Sequence, residues 1–379
     1  MAKYYCEVLT MDSNLPLDKQ LDIGALSRLF SSTTNSYKLL FFMAILDSLQ
    51  ESLFKENKIR VNDLIIGMLR ISFAPAKKFK LSFGSQDQIH FYIDEILSHS
   101  NQPEVTKIAD TSFKKTLKQD LYKSSAIKLG KYVPYRLLQP FFEEELRGQK
   151  DAVKNKITEN LAAANYDVRL PLYRIVDDYA GTFVELHPKW MEYIHLNFPI
   201  LNGWVEVNWI KYLQSRNPNT PAIINKIHSY AKRNRLTKQR SIWKEYLSRN
   251  ASNCIFSQVP ITLANHDLDH FIPWNYIGHD QHWNLIPVLS AANSSKNDSL
   301  PSQAYINLFV ARQRDFFEFC YAQNKKNAIE DYVVGLSTTA NKLIESADCF
   351  NDTLAQVVSS QLEMAKIQGF KANWKYMDS

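Results

Sequence analysis

Glycine is scarce in this 379-residue chain, at 10 residues, and cysteine scarcer, at four. The shortage of glycine, beside abundant Leu, Ile, Lys, Glu and Phe, tilts the reading towards helix. Cys6, Cys254, Cys320 and Cys349 lie far apart. They make no C-x-x-C pair and no secretory disulfide framework, so reduced intracellular thiols are expected. Met1 to Thr10 lacks the charged-then-apolar run of a signal peptide. The longest apolar stretch, Leu39 to Leu46, falls far short of the ~20 residues that span a bilayer. There is no internal repeat and no low-complexity segment. The expectation is a soluble, cytoplasmic protein without a membrane partner.

Hydrophobic residues make up 45% and charged residues 22%, a globular balance. At roughly 150 residues per domain the length allows two or three domains. The net charge of +6 is compatible with a polyanionic partner without requiring one. Its distribution says more. Residues 206–250 hold ten basic side chains against two acidic ones, a local excess of eight. Lys232, Arg233, Arg235, Lys238 and Arg240 form the dense part and are the candidate nucleic-acid contacts. An ordinary solvated basic helix is the plainer alternative.

Periodicity predicts helices over Ser36–Phe54, Val61–Phe73 (stopped by Pro75), Ile89–Ile96, Phe113–Tyr122, Leu137–Leu146 and Gln149–Ala164. Leu172–Leu186 alternates as a hairpin would, and a helix follows around Trp204–Ser215. Ala304–Gln323, Ala328–Ser346 and Phe350–Lys366 read as helices again. Trp190, Trp204, Trp209 and Trp243 are most simply core residues. The organisation expected is mainly α: a helical region over 1–165, a mixed connector with the basic segment over 166–250, a small motif over 251–301 and a helical region over 302–379.

Chemistry concentrates between Cys254 and Pro301. Asp267-Leu268-Asp269-His270 suits a short strand ended by Pro273. A polar loop follows from Trp274 to His282, then a second strand over Trp283–Val288, then a helix start over Ser290–Asn297 carrying Asn293 and Lys296. Carboxylate and amide oxygens suit a hard divalent cation such as Mg²⁺. A neutral imidazole can deprotonate water, and an ammonium can meet a phosphate as a point charge.

This strand–loop–strand–helix segment resembles the HNH endonuclease family, whose fold is the ββα-metal motif. It looks most like the HNH domains of RNA-guided CRISPR nucleases and related bacterial proteins. The residues carrying the likeness are Asp267-Leu268-Asp269-His270, Pro273, Asn284-Leu285, Asn293, Lys296, Asp298 and Leu300-Pro301. The resemblance implies Asp269 and Asn293 as metal ligands, His270 as general base, Asn284 as the residue that holds the loop and orients the base, and Lys296 near the scissile phosphate. Many relatives flank the motif with zinc-binding C-x-x-C pairs. Here Cys254-Ile-Phe-Ser257 keeps one cysteine, so no structural zinc is expected.

The resulting expectation is a Mg²⁺- or Mn²⁺-dependent endonuclease that cuts or nicks DNA, in keeping with bacterial defence against foreign DNA. Cutting both strands would need a homodimer or two successive nicks. Two other readings stay open: a nucleic-acid-binding effector whose HNH fold does not turn over and whose N-terminal helices recruit a protein, and an RNA-directed nuclease.

Overall fold

A short helix, α1 (Ile23–Ser27), is capped by Asp22, whose Oδ1 accepts from the Ala25 amide at 2.7 Å. Between Tyr37 and Glu51 apolar residues recur too densely to leave a polar face, so α2 (Tyr37–Glu51) is buried around most of its circumference. This computed structural model describes residues 15–99, 116–227 and 235–377. Cys6 and the first three residues (113–115) of the helix expected over Phe113–Tyr122 lie outside the described residues. By contacts the chain divides into two units, Met1–Arg216 and Asn217–Ser379.

In the first unit, β1 (Lys58–Arg60) leads into α3 (Val61–Phe73), where Asp63 in the first turn suits the helix dipole. Pro75 does not stop the helical path. The chain widens into a π-type turn over Ala74–Lys78, closed by the Phe79 amide on the Ala74 carbonyl at 3.0 Å. The wider register absorbs the N–H that proline lacks. α4 (Ile89–His99), α5 (Val133–Leu138), α6 (Glu143–Leu146) and α7 (Asp151–Ala164) follow. The stretch expected as one helix over Leu137–Leu146 is thus split by a 3₁₀ turn, with Pro140 inside it. The hairpin forms as β2 (Tyr173–Asp178) and β3 (Gly181–Leu186). β1 joins β3 antiparallel, pairing Lys58 with Glu185. α8 (Pro188–Leu196) and α9 (Phe198–Arg216) bury Trp190 and Trp209.

The second unit carries α10 (Ile223–Ile227), α11 (Thr237–Arg249), β4 (Ser252–Asn253), β5 (Pro260–Ile261), β6 (His266–His270), α12 (Trp274–Ile277), β7 (Leu285–Leu289) and α13 (Ser290–Lys296). Then come α14 (Ile306–Ala322), α15 (Lys326–Gly335), α16 (Ala340–Glu345) and α17 (Ala347–Ile367). The run expected over Ala328–Ser346 breaks at Ser337, whose φ is +51°, and restarts where the Thr339 side chain caps α16. Fold class is as expected: helices dominate and the sheets are small.

The core of this unit is shared between the small strands and the last helices. Phe271, just past β6, stacks on Phe309 of α14 with ring centroids 4.0 Å apart, and Trp243 of α11 stacks on Phe316 at 3.6 Å. Gln313, fully buried on α14, donates to the Leu285 carbonyl at 2.7 Å and accepts from the Tyr332 hydroxyl. Gly335 ends α15 against Trp283; a Cβ there would come within 2.2 Å of the indole nitrogen, so only glycine fits. Replacing Phe309 with Ala removes a buried ring and is expected to destabilise this unit by about 3–5 kcal/mol. Hydrogen exchange at the Leu285, Ile286, Val288 and Leu289 amides checks it; unchanged protection would mean that the strand pair does not lean on α14.

Candidate active site

β6 and β7 pair antiparallel with His266 opposite Leu289 and His270 opposite Leu285. α13 leaves β7 without a loop, which brings Asn293 and Lys296 back over the β6 residues Asp267 and Asp269. The expected strand–loop–strand–helix unit is present, with one addition. The polar loop contains the helical turn α12 and then Gly278, in left-handed conformation at φ +73°. A side chain at Gly278 would press 2.9 Å from the Ala222 Cβ, and its carbonyl accepts from Asn225 Nδ2 at 2.8 Å. α10 therefore packs directly on this loop.

Asp269, His270, Asn293, Lys296 and Asp298 line one polar cavity of about 250 Å³. Asp269 and His270 are buried, and Lys296 is fully so. The Lys296 ammonium donates to the His270 carbonyl at 2.8 Å and lies 2.9 Å from Asp269 Oδ2. Towards the carboxylate the approach is of opposite charges rather than an aligned hydrogen bond, and Oδ2 stays buried without a hydrogen-bond donor. The ammonium thus faces the carboxylate and the backbone, not solvent. Asn293 Nδ2 reaches Asp267 Oδ2 at 3.3 Å, and Asp298 Oδ2 accepts from Asn275 at 2.7 Å.

Asn284 does not line this cavity. Fully buried, it clasps the chain just beyond the imidazole: its Oδ1 accepts from the Ile272 amide and its Nδ2 donates to the Ile272 carbonyl, both at 2.9 Å. Its own carbonyl accepts from the Phe271 amide at 2.9 Å. The sequence pattern did not single out Asp280, whose Oδ1 lies 2.9 Å from His270 Nε2. An aspartate ten residues on, in a loop of irregular backbone, has no periodicity to announce it.

The other histidines differ. His266 begins β6, and its ring meets the Thr262 carbonyl at 2.8 Å. Burial pushes His279 down to about 4, with the neighbouring His270 adding to the fall. Burial alone pushes His282 down to about 4, and its amide donates to Asp331 Oδ2 at 2.9 Å.

Of the basic segment, Lys232 and Arg233 lie outside the described residues. Arg235, Lys238 and Arg240 are exposed, the last two on α11. Gln239, between them, reaches the Asp280 carbonyl at 3.3 Å, which ties this helix to the loop that holds the imidazole partner. Lys226 departs from the pattern. It is buried against the Tyr276 ring, donates to the Pro221 carbonyl at 2.7 Å, and is pushed down to about 7 by burial, so it adds nothing to the basic surface.

The donor set fits a hard cation that keeps most of its waters. Asp269 offers a buried carboxylate whose Oδ2 has the Lys296 ammonium as counter-charge at 2.9 Å but no hydrogen-bond donor, and Asn293 lines the same cavity. Mg²⁺ commonly takes one or two protein oxygens, leaving the rest of its shell to water and phosphate. Among the described residues no group of three or more His, Cys, Asp or Glu is arranged to hold a metal. Cys254 is buried in the apolar core.

A histidine held neutral by burial costs stability where the unfolded chain would protonate it. His282 should therefore destabilise the fold as pH falls from its ordinary value near 6.5 towards 4. Between pH 7 and pH 5 the loss is about 2 kcal/mol. Asp331, pushed up by burial, works in the opposite direction. Hydrogen exchange on β6 and β7 at the two pH values, beside His282→Asn, isolates the contribution: the variant should lose that much less protection on acidification.

A family model described as HNH endonuclease matches residues 254–302. Searches of curated proteins and of solved structures returned no match. The matched segment runs from the buried Cys254 through β6, β7 and α13 to the turn after Pro301, and so encloses the whole cavity. This chain carries a domain of the HNH endonuclease family.

Proposed function

We propose that this domain hydrolyses phosphodiester bonds in DNA, with His270 as general base and with Asp269 and Asn293 holding one Mg²⁺ or Mn²⁺. The observation that carries this reading is the juxtaposition of an imidazole anchored by Asp280 with the Asp269 carboxylate and the Asn293 amide around one polar cavity. When bound, the cation would stabilise charge on the phosphate and the leaving oxygen. With Nε2–H donated to Asp280, the neutral ring carries its lone pair at Nδ1, which takes the proton from the attacking water. Asn284 fixes the backbone beyond His270. Lys296 balances the Asp269 charge and holds the His270 carbonyl, so it acts by positioning. Arg235, Lys238 and Arg240 present a cationic approach for the phosphate backbone, a contact that positions but specifies no sequence. One such site cuts one strand at a time.

Supercoiled plasmid with Mg²⁺ or Mn²⁺ tests the chemistry. The protein should nick it, and His270→Ala should lower the rate by ~10²–10⁴-fold. Asp280→Asn should lower kcat by roughly tenfold or more, as loss of an orienting partner does, with KM unchanged. Nicking that survives His270→Ala would sink the base assignment. A chain that binds but cleaves neither DNA nor RNA in any divalent metal would support binding without turnover; cleavage of RNA alone would make it an RNA-directed nuclease.

Alanine at Arg235, Lys238 and Arg240 together should weaken DNA binding and flatten its logarithmic salt dependence by about 2–3. An unchanged slope in a filter-binding titration would remove this face from the interface.

A further inference from the structure

The first unit holds a second polar cavity, of about 560 Å³, between the N-terminal turn of α2, α4 and the Tyr132–Gln139 segment. No acid lines it. Two cations do, Lys38 and Arg136. Arg136 pairs at its outer side with Asp151 at 2.7 Å. Lys38 makes no ion pair or hydrogen bond among the described residues, and burial together with Arg136 holds its ammonium below the usual lysine range. The buried acid Asp87, next to the lining residues Gln86 and Gln88, is already taken: it accepts from the Ser36 amide at 2.8 Å, the Ser36 hydroxyl at 2.6 Å and the Ile89 amide at 2.9 Å.

Three phenols complete the wall. The Tyr37 and Tyr132 rings lie 6.0 Å apart, and burial keeps the hydroxyls of Tyr37, Tyr92 and Tyr132 protonated. Tyr132 is only half-buried and lines the cavity. On the same wall the Gln139 Nε2 is buried with no hydrogen-bond partner. An unpaired half-buried ammonium and an unsatisfied amide both cost stability, and neither is repaid inside the fold. An anion beside the ammonium and an acceptor beside the amide would satisfy both. The volume falls in the ~300–1,000 Å³ range of small-molecule sites.

We propose that this cavity binds a free nucleotide, with Lys38 and Arg136 on the phosphate, Tyr132 against the base and the Gln139 amide on its edge. Cations meet phosphate oxygens, an aromatic ring stacks on any base, and an amide donor needs a ring acceptor.

The test is titration calorimetry on the full chain with AMP, ADP, GMP and GDP. EDTA is present so that the Asp269 cavity cannot take phosphate through a cation. At least one nucleotide should bind saturably, with adenosine and inorganic phosphate at least ~10-fold weaker, since each lacks half of the contacts. Lys38→Met should lose ~10-fold or more and Lys38→Arg should retain binding. Because the Lys38 charge has no internal partner, Lys38→Met should melt at the same temperature as the parent or up to ~3 °C higher. Four results would each overturn the proposal: no saturable nucleotide binding, phosphate binding as tightly as the nucleotide, full affinity in Lys38→Met, or a lower melting temperature for that variant. A Lys38-dependent preference for a DNA hexamer over every mononucleotide would also overturn it, by making a strand the ligand.

Discussion

The ammonium of Lys296 is wholly buried in the walls of the Asp269 cavity, and the geometry around it is arranged to make that tolerable. Removing a lysine from water is expensive, and one carboxylate rarely compensates alone. Here the ammonium has a carboxylate at 2.9 Å and a backbone carbonyl at 2.8 Å. Both come from consecutive residues of β6, so one side chain fixes the height of α13 over the strand and the orientation of the peptide that carries His270. Losing Asp269 would leave an uncompensated cation in the interior; losing Lys296 would leave a buried carboxylate without its counter-charge. Site geometry and fold stability therefore rest on the same three groups.

The imidazole itself is fixed from the other side. Asp280 sits in a loop whose path is set by Gly278 against Ala222, by Asn225 on the Gly278 carbonyl and by Gln239 on the Asp280 carbonyl. The Asn284 amide clasps Ile272 two residues past the histidine. A ring held at one nitrogen by a carboxylate, on a backbone clamped before and after it, has lost most of its rotational freedom before any substrate arrives. On the proposed function, this fixing keeps the base within hydrogen-bond reach of the water it deprotonates.

How much of this could be read in the sequence follows from the range of each interaction. The alternation of Asp267, Asp269 and Phe271 exposed β6, and the strong period of Val61–Phe73 gave that helix to the residue. The grouping of Asp269, His270, Asn293 and Lys296 was legible because strand, strand and helix follow one another with short connections. Asp280 was not, since its partner is reached through irregular backbone. Nor was the three-residue strand β1, whose partner lies 127 positions away (Lys58 against Glu185). Lys226 shows a subtler limit: a lysine in a basic run reads as surface charge, and only the packing of α10 on the Tyr276 ring reveals it as interior.

The core of the second unit bears on what counts as a module here. The residues that match the HNH family stop at 302, yet Phe271 stacks on Phe309, Trp283 rests on Gly335, and the Leu285 carbonyl is satisfied by Gln313. Cut out on its own, the matched segment would present these faces to water: a stacked ring without its mate, an indole without its floor, a strand carbonyl without its donor. The family signature is thus a hand grafted on a larger wrist. Evolution could exchange the helices beyond 302 only for others that offer an aromatic ring, a glycine and an amide at the same three points.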